Sequence, residues 1–579
     1  MKSVKSAVLF ALTAILVLSG CGKHPDKVTV RIIASTDVHG FIFDKDLITQ
    51  TERDGSLAKL STFLKRERKE NRNVIYLDAG DVLQGSVELY QDFTAQYFRT
   101  CVVSQAYNLL GCDAMAMGNH DVAAGPVSCD RFLKSADFPM LGANVFVDDT
   151  THYLPPYRII DKQGFRIAVL GMTTAIVNYS VPQNSGSGLE IHDMVETAAY
   201  WVPLLKEKLN ADAVVGLFHS GLENGRMDDE GVFENATLQV VNSVPGFDLV
   251  IYGHDHVARR IMVPTASGDS LLLINPGPYA NQVAALTLTA DYTVQDKPVV
   301  TVSGGLVDIT AEEPDQSFLK ELSGWYSDIR SYSDSILGTI RTPLECNGAL
   351  WRDATGLDYA HAIQMRYFGA EVSLTSPVAT RTYFPAGQFS MRDAFNAFQY
   401  ENNLVSVMLK GSEIKDILEY SSDLFYKTVH KKGDRLLKTV TYDDGTVGPE
   451  IYLGNFITAA GIDYTVDVTK PAGSRVNILS MADGSKFDLN RMYRTTMSSY
   501  TYFGAESPLF KATGLKRKDL PRRLNGASSI DIRYYMLTDF ALNGNTGVKV
   551  TYPVHRKLIP EALVQDCLGK DTLNFSFIH

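Results

Sequence analysis

Five short apolar runs in the first half of the chain each stop at a cluster of polar, chemistry-bearing residues, and that repetition narrows the folds open to it. Val28–Ala34 runs into Ser35-Thr36-Asp37-Val38-His39-Gly40, and Val74–Leu77 into Asp78-Ala79-Gly80-Asp81. Ala114–Met117 leads to Gly118-Asn119-His120-Asp121, Ala213–Phe218 to His219-Ser220-Gly221, and Leu249–Tyr252 to Gly253-His254-Asp255-His256. Runs of this length, rich in Val, Ile and Leu, suit strands buried on both faces. Between the second and third runs, Phe93, Tyr97, Phe98, Cys101, Val102, Ala106, Leu109 and Leu110 recur at helical spacing, and Gly111 is placed to end that helix. Strand, helix, strand implies an α/β core. In such cores ligands gather beyond the carboxyl ends of strands. Clusters spread over about 220 positions can therefore meet in space.

Together the clusters offer Asp37, His39, Asp81, Asn119, His219, His254 and His256: two carboxylates, four imidazoles and one amide. A mixed oxygen and nitrogen shell suits Mn, Zn, Fe or Co better than Ca or Mg. No cysteine joins the set, which argues against a structural zinc knuckle. The donors exceed what one tetrahedral ion uses, whereas two divalent metal ions sharing one carboxylate employ them all. Taken in order, the D-x-H, G-D, G-N-H-D, H-S-G and G-H-D-H motifs resemble those of the calcineurin-like metallophosphoesterases. More narrowly, they resemble the exported 5′-nucleotidase and 2′,3′-cyclic-nucleotide phosphodiesterase family, from about Val28 to Val307 and on into the C-terminal half.

The resemblance implies an α/β fold: a four-layer αββα metallophosphoesterase sandwich followed by a second α/β substrate-binding domain. It implies that Asp37, His39 and His256 hold one metal, that Asn119, His219 and His254 hold the other, and that Asp81 bridges them. The pair would activate a water for attack on phosphorus. Two divalent ions against two carboxylates leave a site of about +2, which can hold a phosphate in an acidic protein. His120 follows a ligand without being one; the resemblance gives it the role of stabilising the transition state or protonating the leaving oxygen. Such a histidine is usually oriented by Asp or Asn three residues on, where this chain has Ala123. Asp121, next in sequence, is the candidate substitute, although a neighbouring residue often points elsewhere, and reduced reliance on any orienter, without loss of activity, is the expectation.

The second half carries no comparable cluster. Ala311–Leu337 reads as a polar, largely helical connector, and Tyr- and Thr-rich strands mixed with helices follow from Gly338. The run Phe389-Ser390-Met391-Arg392-Asp393-Ala394-Phe395 through Tyr400-Glu401-Asn402-Asn403 resembles the family's C-terminal domain. By that likeness Tyr400 stacks on a nucleobase, Asn402 makes a base or turn contact, Tyr500 supplies the second ring and Glu506 an acid. Ala505 stands where the family has a glycine. Two rings sandwiching a base are worth ~1–3 kcal/mol per base and tolerate any base. Arg381 lies near the place of a substrate arginine, whereas Leu357 falls where a second basic residue would be expected. An aromatic followed by an acid and Asn looks more like the cyclic-nucleotide branch. Hydrolysis of 2′,3′-cyclic nucleotides and 3′-nucleotides is therefore the expectation. A 5′-nucleotidase or UDP-sugar hydrolase on the same fold is the alternative. A surface lipoprotein that binds nucleotides without turnover is a third reading, against which the full ligand set argues.

At the N-terminus Lys2 and Lys5 precede an apolar run, Ala7–Leu18, too short to span a bilayer and of the kind found in secretory signals. Leu18-Ser19-Gly20-Cys21 resembles a bacterial lipoprotein cleavage box, which implies lipid on Cys21 and attachment to a membrane, facing the periplasm or the cell surface. The five cysteines that follow match no metal knuckle and could form pairs or stay as buried thiols. The net charge of −11, becoming −13 once residues 1–20 are removed, excludes a broad nucleic-acid-binding surface. The expected division is 1–20 signal, 21–27 tether, 28–310 metallophosphoesterase domain, 311–337 connector and 338–579 nucleotide-binding domain.

Overall fold

The computed structural model describes residues 25–89, 101–175, 177, 188–225, 232–264, 270–294, 297–346, 348–377, 383–398, 402–441, 447–503, 507–516, 519–543, 547–549 and 555–571. Cys21, Arg381, Tyr400, Ala505 and Glu506 lie outside them, as do Phe93, Tyr97 and Phe98.

Among the described residues of the first half, twelve strands form two six-stranded sheets, beside a small pairing of Val145–Phe146 with Glu190–Ile191. In chain order they are β1 (Lys27–Ser35), β2 (Val74–Asp78), β3 (Ala114–Ala116), β4 (Met140–Leu141), β5 (Tyr157–Lys162) and β6 (Phe165–Thr173). Next come β7 (Ala213–His219), β8 (Leu249–Tyr252), β9 (Arg259–Pro264), β10 (Ser270–Asn275), β11 (Gln282–Asp291) and β12 (Val299–Asp308). One sheet has the order β12-β11-β1-β2-β3-β4 and the other β9-β10-β8-β7-β6-β5. The five apolar runs read from sequence are β1, β2, β3, β7 and β8. β1, β2 and β3 are mutually parallel, as are β7 and β8. Their carboxyl ends therefore leave each sheet at one edge.

Alternation along the strands makes the layers. Val30, Ile32 and Ala34 of β1 pack with Val215 and Leu217 of β7 and Ile251 of β8 in the core between the sheets. Ile33 and Tyr76 face the opposite way, toward helices Leu57–Glu70, Val102–Leu110 and Pro126–Ser135. Val214, Phe218 and Tyr252 face helices Met194–Pro203 and Thr237–Ser243. Because each sheet is covered on both faces, its strands carry unbroken apolar runs rather than an apolar–polar alternation. The result is the four-layer αββα sandwich. The Val102–Leu110 helix ends on Gly111 in the left-handed conformation (φ 61°), as the sequence indicated.

Helices Gln316–Glu321 and Ser323–Ser333 follow β12 and pack back on the first layer, where Lys65 pairs with Asp315 at 2.5 Å and Arg66 with Glu312 at 2.7 Å. The second half is a separate α/β assembly. Its five-stranded sheet comprises Val372–Thr375, Asn403–Lys410, Thr458–Ala460, Met492–Ser498 and Leu524–Asp531, with helices Thr355–Phe368 and Gly411–Phe425 beside it. Cys101, Cys112, Cys129 and Cys567 are buried, and Cys346 is half-buried.

Candidate metal centre

The five clusters do converge. Each sits where the chain leaves the edge of a sheet, and the turns lean on one another through main-chain hydrogen bonds. Asp37 N donates to Gly80 O (2.9 Å), His39 N to Asp81 O (3.0 Å) and Tyr279 N to Asp37 O (3.0 Å). Asp37, His39, Asp81, His254 and His256 all adopt positive φ, between 51° and 80°. Non-glycine residues adopt this conformation rarely, and it persists where the surroundings dictate it, often at functional sites.

Two groups of side chains emerge. Ligand atoms of Asp37, His39 and His256 lie within 4.8 Å of one another, and so do those of Asp81, His219 and His254. Asn119 Oδ1 stands 3.1 Å from His219 Nε2, which brings the amide to the second group. Asp81 joins the groups: its Oδ2 is 3.1 Å from His219 Nε2, 4.0 Å from His39 Nε2 and 4.0 Å from His120 Nε2.

The ring orientations suit metal binding. His39 Nδ1–H donates to the Gln84 carbonyl (2.7 Å) and His219 Nδ1–H to the Ala79 carbonyl (2.8 Å). Both therefore turn Nε2 toward the cluster, and outer partners of this type are what fix a ligating histidine. His254 Nε2–H donates to Glu234 Oε1 at 3.1 Å, leaving its other nitrogen as the donor. Asp37 and Asp81 are fully buried, yet their ion-pair partners among the described residues are imidazoles alone. Buried carboxylates so placed need compensating positive charge, and a mixed N/O shell of this kind accepts divalent transition metals. The residues fit the metal pair.

The same geometry perturbs the titrations. Burial alone would raise Asp37, but the His256 hydrogen bond and the His219 charge outweigh it and bring the carboxyl to about 2. Burial likewise opposes, without overcoming, the His219, His120 and His39 charges that hold Asp81 well below the usual carboxylate range. Burial pulls His219 down, but the adjoining Asp81 carboxylate raises it to about 10. His120 goes the other way: desolvation at the base of the cleft, reinforced by His39 and His219 against the pull of Asp81, lowers it to about 4. Its ring still has 44% of its side-chain surface exposed, on the cleft side.

Asp121 does not orient His120. Its buried carboxylate accepts from four main-chain amides: Gly118 (2.7 Å), Val82 (2.9 Å), Leu83 (2.9 Å) and Asp81 (3.1 Å). The reason that the sequence expectation fails is geometric. His120 and Asp121 are consecutive in the short helix Asn119–Ala123, and neighbours on a helix point in different directions. Asp121 instead holds the turn that carries Asp81. Asp121→Ala would leave four buried donors unmatched, at a cost of about 1–3 kcal/mol each when unrelieved. We expect Tm to fall by roughly 10 °C or more in a thermal melt, with loss of turnover because Asp81 shifts. The side chain that does meet the His120 ring is Gln84, whose Oε1 contacts Nδ1. Gln84 and Glu234 are residues of this centre that sequence reasoning missed.

Two glycines of the motifs are explained by close approach. A Cβ on Gly118 would stand 2.1 Å from Asp81 Oδ1 and 2.4 Å from Asp81 N. One on Gly253 would stand 1.9 Å from Thr36 Oγ1 and 2.6 Å from Asp37 Oδ2. Gly118→Ala should displace Asp81 and reduce turnover by about 10²-fold, with a smaller change in far-UV circular dichroism than in metal content.

A cleft of about 490 Å³ opens over the centre. His39, His120 and His256 line it, together with the stacked pair Phe41 and Tyr279 (centroids 4.5 Å apart) and Phe395 of helix Met391–Ala397. In the second half Asn402 Oδ1 accepts from Tyr500 N at 3.4 Å, so these two predicted residues adjoin. Tyr500 is 37% exposed and meets Tyr452 edge-on, with centroids 6.0 Å apart.

Residues 30–258 match the calcineurin-like phosphoesterase family and residues 336–513 the 5′-nucleotidase C-terminal domain. The chain thus joins a calcineurin-like phosphoesterase domain to a 5′-nucleotidase C-terminal domain. Among relatives of this phosphoesterase, the 2′,3′-cyclic-nucleotide 2′-phosphodiesterase/3′-nucleotidase of Haemophilus influenzae is 25% identical over 80% of this chain and 77% of its own length. The trifunctional nucleotide phosphoesterase of Bacillus subtilis is 23% identical over 77% of this chain, which spans about a third (33%) of that longer protein. The solved structure of a candidate 5′-nucleotidase from Staphylococcus aureus shares the fold, with TM-score 0.71 and 20% identity over 92% of this chain and 100% of its own.

Proposed function

We propose that this phosphoesterase hydrolyses 2′,3′-cyclic nucleotides and 3′-nucleotides with the help of two divalent metal ions. The observation that carries the reading is the position of Asp81 Oδ2, within 4.0 Å of imidazole nitrogens from both ligand groups, one of which, His39, lines a cleft that Phe395 and Asn396 of the second half also line. Asp37, His39 and His256 would hold one ion, and Asn119, His219 and His254 the other, with Asp81 shared. Such ions supply Lewis acidity toward a phosphate ester and toward water.

The chain's own residues do the rest. His120 presents Nε2 to the same space, 4.0 Å from Asp81 Oδ2, where it can hydrogen-bond a phosphoryl oxygen or pass a proton to the departing one. Phe41 and Tyr279 give the cleft an apolar lining. Asn402 and Tyr500, with Tyr400, Glu506 and Arg381, are the residues we assign to the nucleoside. The domain division we favour is 28–310 for chemistry, 311–337 as connector and 338–579 for nucleotide binding.

The cyclic-nucleotide reading is supported by relatives so named from Haemophilus influenzae and Salmonella typhimurium, which match 80% and 88% of the chain. A 5′-nucleotidase is the second reading, favoured by the 24% identity to the Rattus norvegicus 5′-nucleotidase over 86% of the chain. No helix among the described residues is long and apolar enough to cross a membrane, and we propose attachment through lipid on Cys21. Turnover of 2′,3′-cyclic AMP, 3′-AMP and 5′-AMP with Mn separates the readings. We expect kcat/KM for the first two to exceed that for 5′-AMP by at least about tenfold, a transition-state difference of about 1.4 kcal/mol. A preference for 5′-AMP would overturn the proposal in favour of the second reading.

A further inference from the structure

We propose that Gln84 is the positioning residue for His120, and that it couples His120 to His39. The inference rests on the role proposed for His120 in hydrolysis. Gln84 offers two acceptors to two histidines. Its side-chain Oε1 meets His120 Nδ1, and its main-chain carbonyl accepts from His39 Nδ1 at 2.7 Å. The two rings stand edge to face, with centroids 5.3 Å apart at 76°. One residue on the turn after β2 thus sets the tautomer of both rings and their mutual placement.

The alternatives nearby are closed. Asp121 is engaged with four main-chain amides, and Ala123, one helical turn beyond His120, has no polar side chain. The His120 ring needs a restraint, because nearly half of its side chain faces the open cleft. An Nδ1–H bond to Gln84 leaves Nε2 toward Asp81 Oδ2, the side on which a phosphate would lie. The amide acceptor is neutral. It orients the imidazole without adding a third negative charge beside Asp37 and Asp81, so the site keeps its net attraction for an anionic ester.

The test uses Gln84→Ala and Gln84→Glu in the full chain, with 2′,3′-cyclic AMP as substrate. The main-chain carbonyl that holds His39 survives both substitutions, so ions bound per chain should stay unchanged. We expect kcat to fall about 10- to 100-fold in Gln84→Ala, the usual range for a lost orienting partner, with KM within about twofold. Gln84→Glu, which retains an acceptor, should recover part of the loss. In the His120→Ala background, Gln84→Ala should cost little more, since residues acting through one another are not additive. A full additional loss in that background, or loss of metal from the single variant, would overturn the proposal. Imidazole ¹⁵N spectra give a readout independent of turnover. The His120 signals, assigned by their absence in His120→Ala, should report the Nδ1–H form in the parent protein and a mixture of forms in Gln84→Ala. An Nε2–H form in the parent would also overturn it. A parent protein that turned over no nucleotide would remove the functional reading while these spectra still decided the role of Gln84.

Discussion

Asp81→Ala should cost this protein both its metal and its activity. Asp81 reaches both ligand groups: Oδ2 lies near His219 and His39, while Oδ1 accepts the His120 amide at 2.8 Å. Removing it takes away the shared donor and the charge that balances the pair. Lewis-acid stabilisation is worth several kcal/mol, so kcat/KM should drop by roughly 10³-fold or more. Ions bound per chain, measured by elemental analysis, should fall in the same variant. Asp81→Asn separates the effects. Its Oδ1 can still accept from His120 N, so the helix start should survive and circular dichroism should be unchanged, while metal binding stays impaired. Normal metal content in both variants would mean that Asp81 is not the bridge.

His120→Ala is expected to have the second-largest effect and a different signature. General acid or base groups contribute about 10²–10⁴-fold, and His120 is not among the ligand groups that cluster. Turnover of cyclic nucleotide should fall by that factor with metal content intact. The loss should be smaller for p-nitrophenyl esters, whose leaving oxygen needs little help from a proton. An unchanged rate on the nucleotide would remove His120 from the mechanism.

Much of the site is legible in the sequence because its chemistry is written at strand ends. A buried parallel strand is an apolar run, and the residue at which it stops marks the functional edge; Asp37, Asp81, Asn119, His219 and His254 follow such runs directly. The layered first half is legible for the same reason. Gln84 and Glu234 are not, because each lies in irregular chain with no period to read and acts on a histidine distant in sequence: 36 positions for Gln84 and 20 for Glu234. Asp121 plays a different role from the one its place in the sequence suggests, because adjacency in sequence is not adjacency in space. On a helix the residue after His120 points away from its ring, and the buried amides at the Asp81 turn claim its carboxylate. Glycines 118 and 253 belong to recognisable motifs, but their reason, contact with Asp81 and with Thr36 and Asp37, exists only in the folded chain.

Whether the two ligand groups around Asp81 form a working dimetal centre is decided by elemental analysis of the purified protein. It is paired with hydrolysis of bis(p-nitrophenyl) phosphate before chelation, after it and after return of Mn. A working centre predicts two ions per chain, a rate that disappears when they are stripped and a rate that returns when they are restored. Protein that binds no ion, or that hydrolyses the ester equally well with and without one, would contradict it.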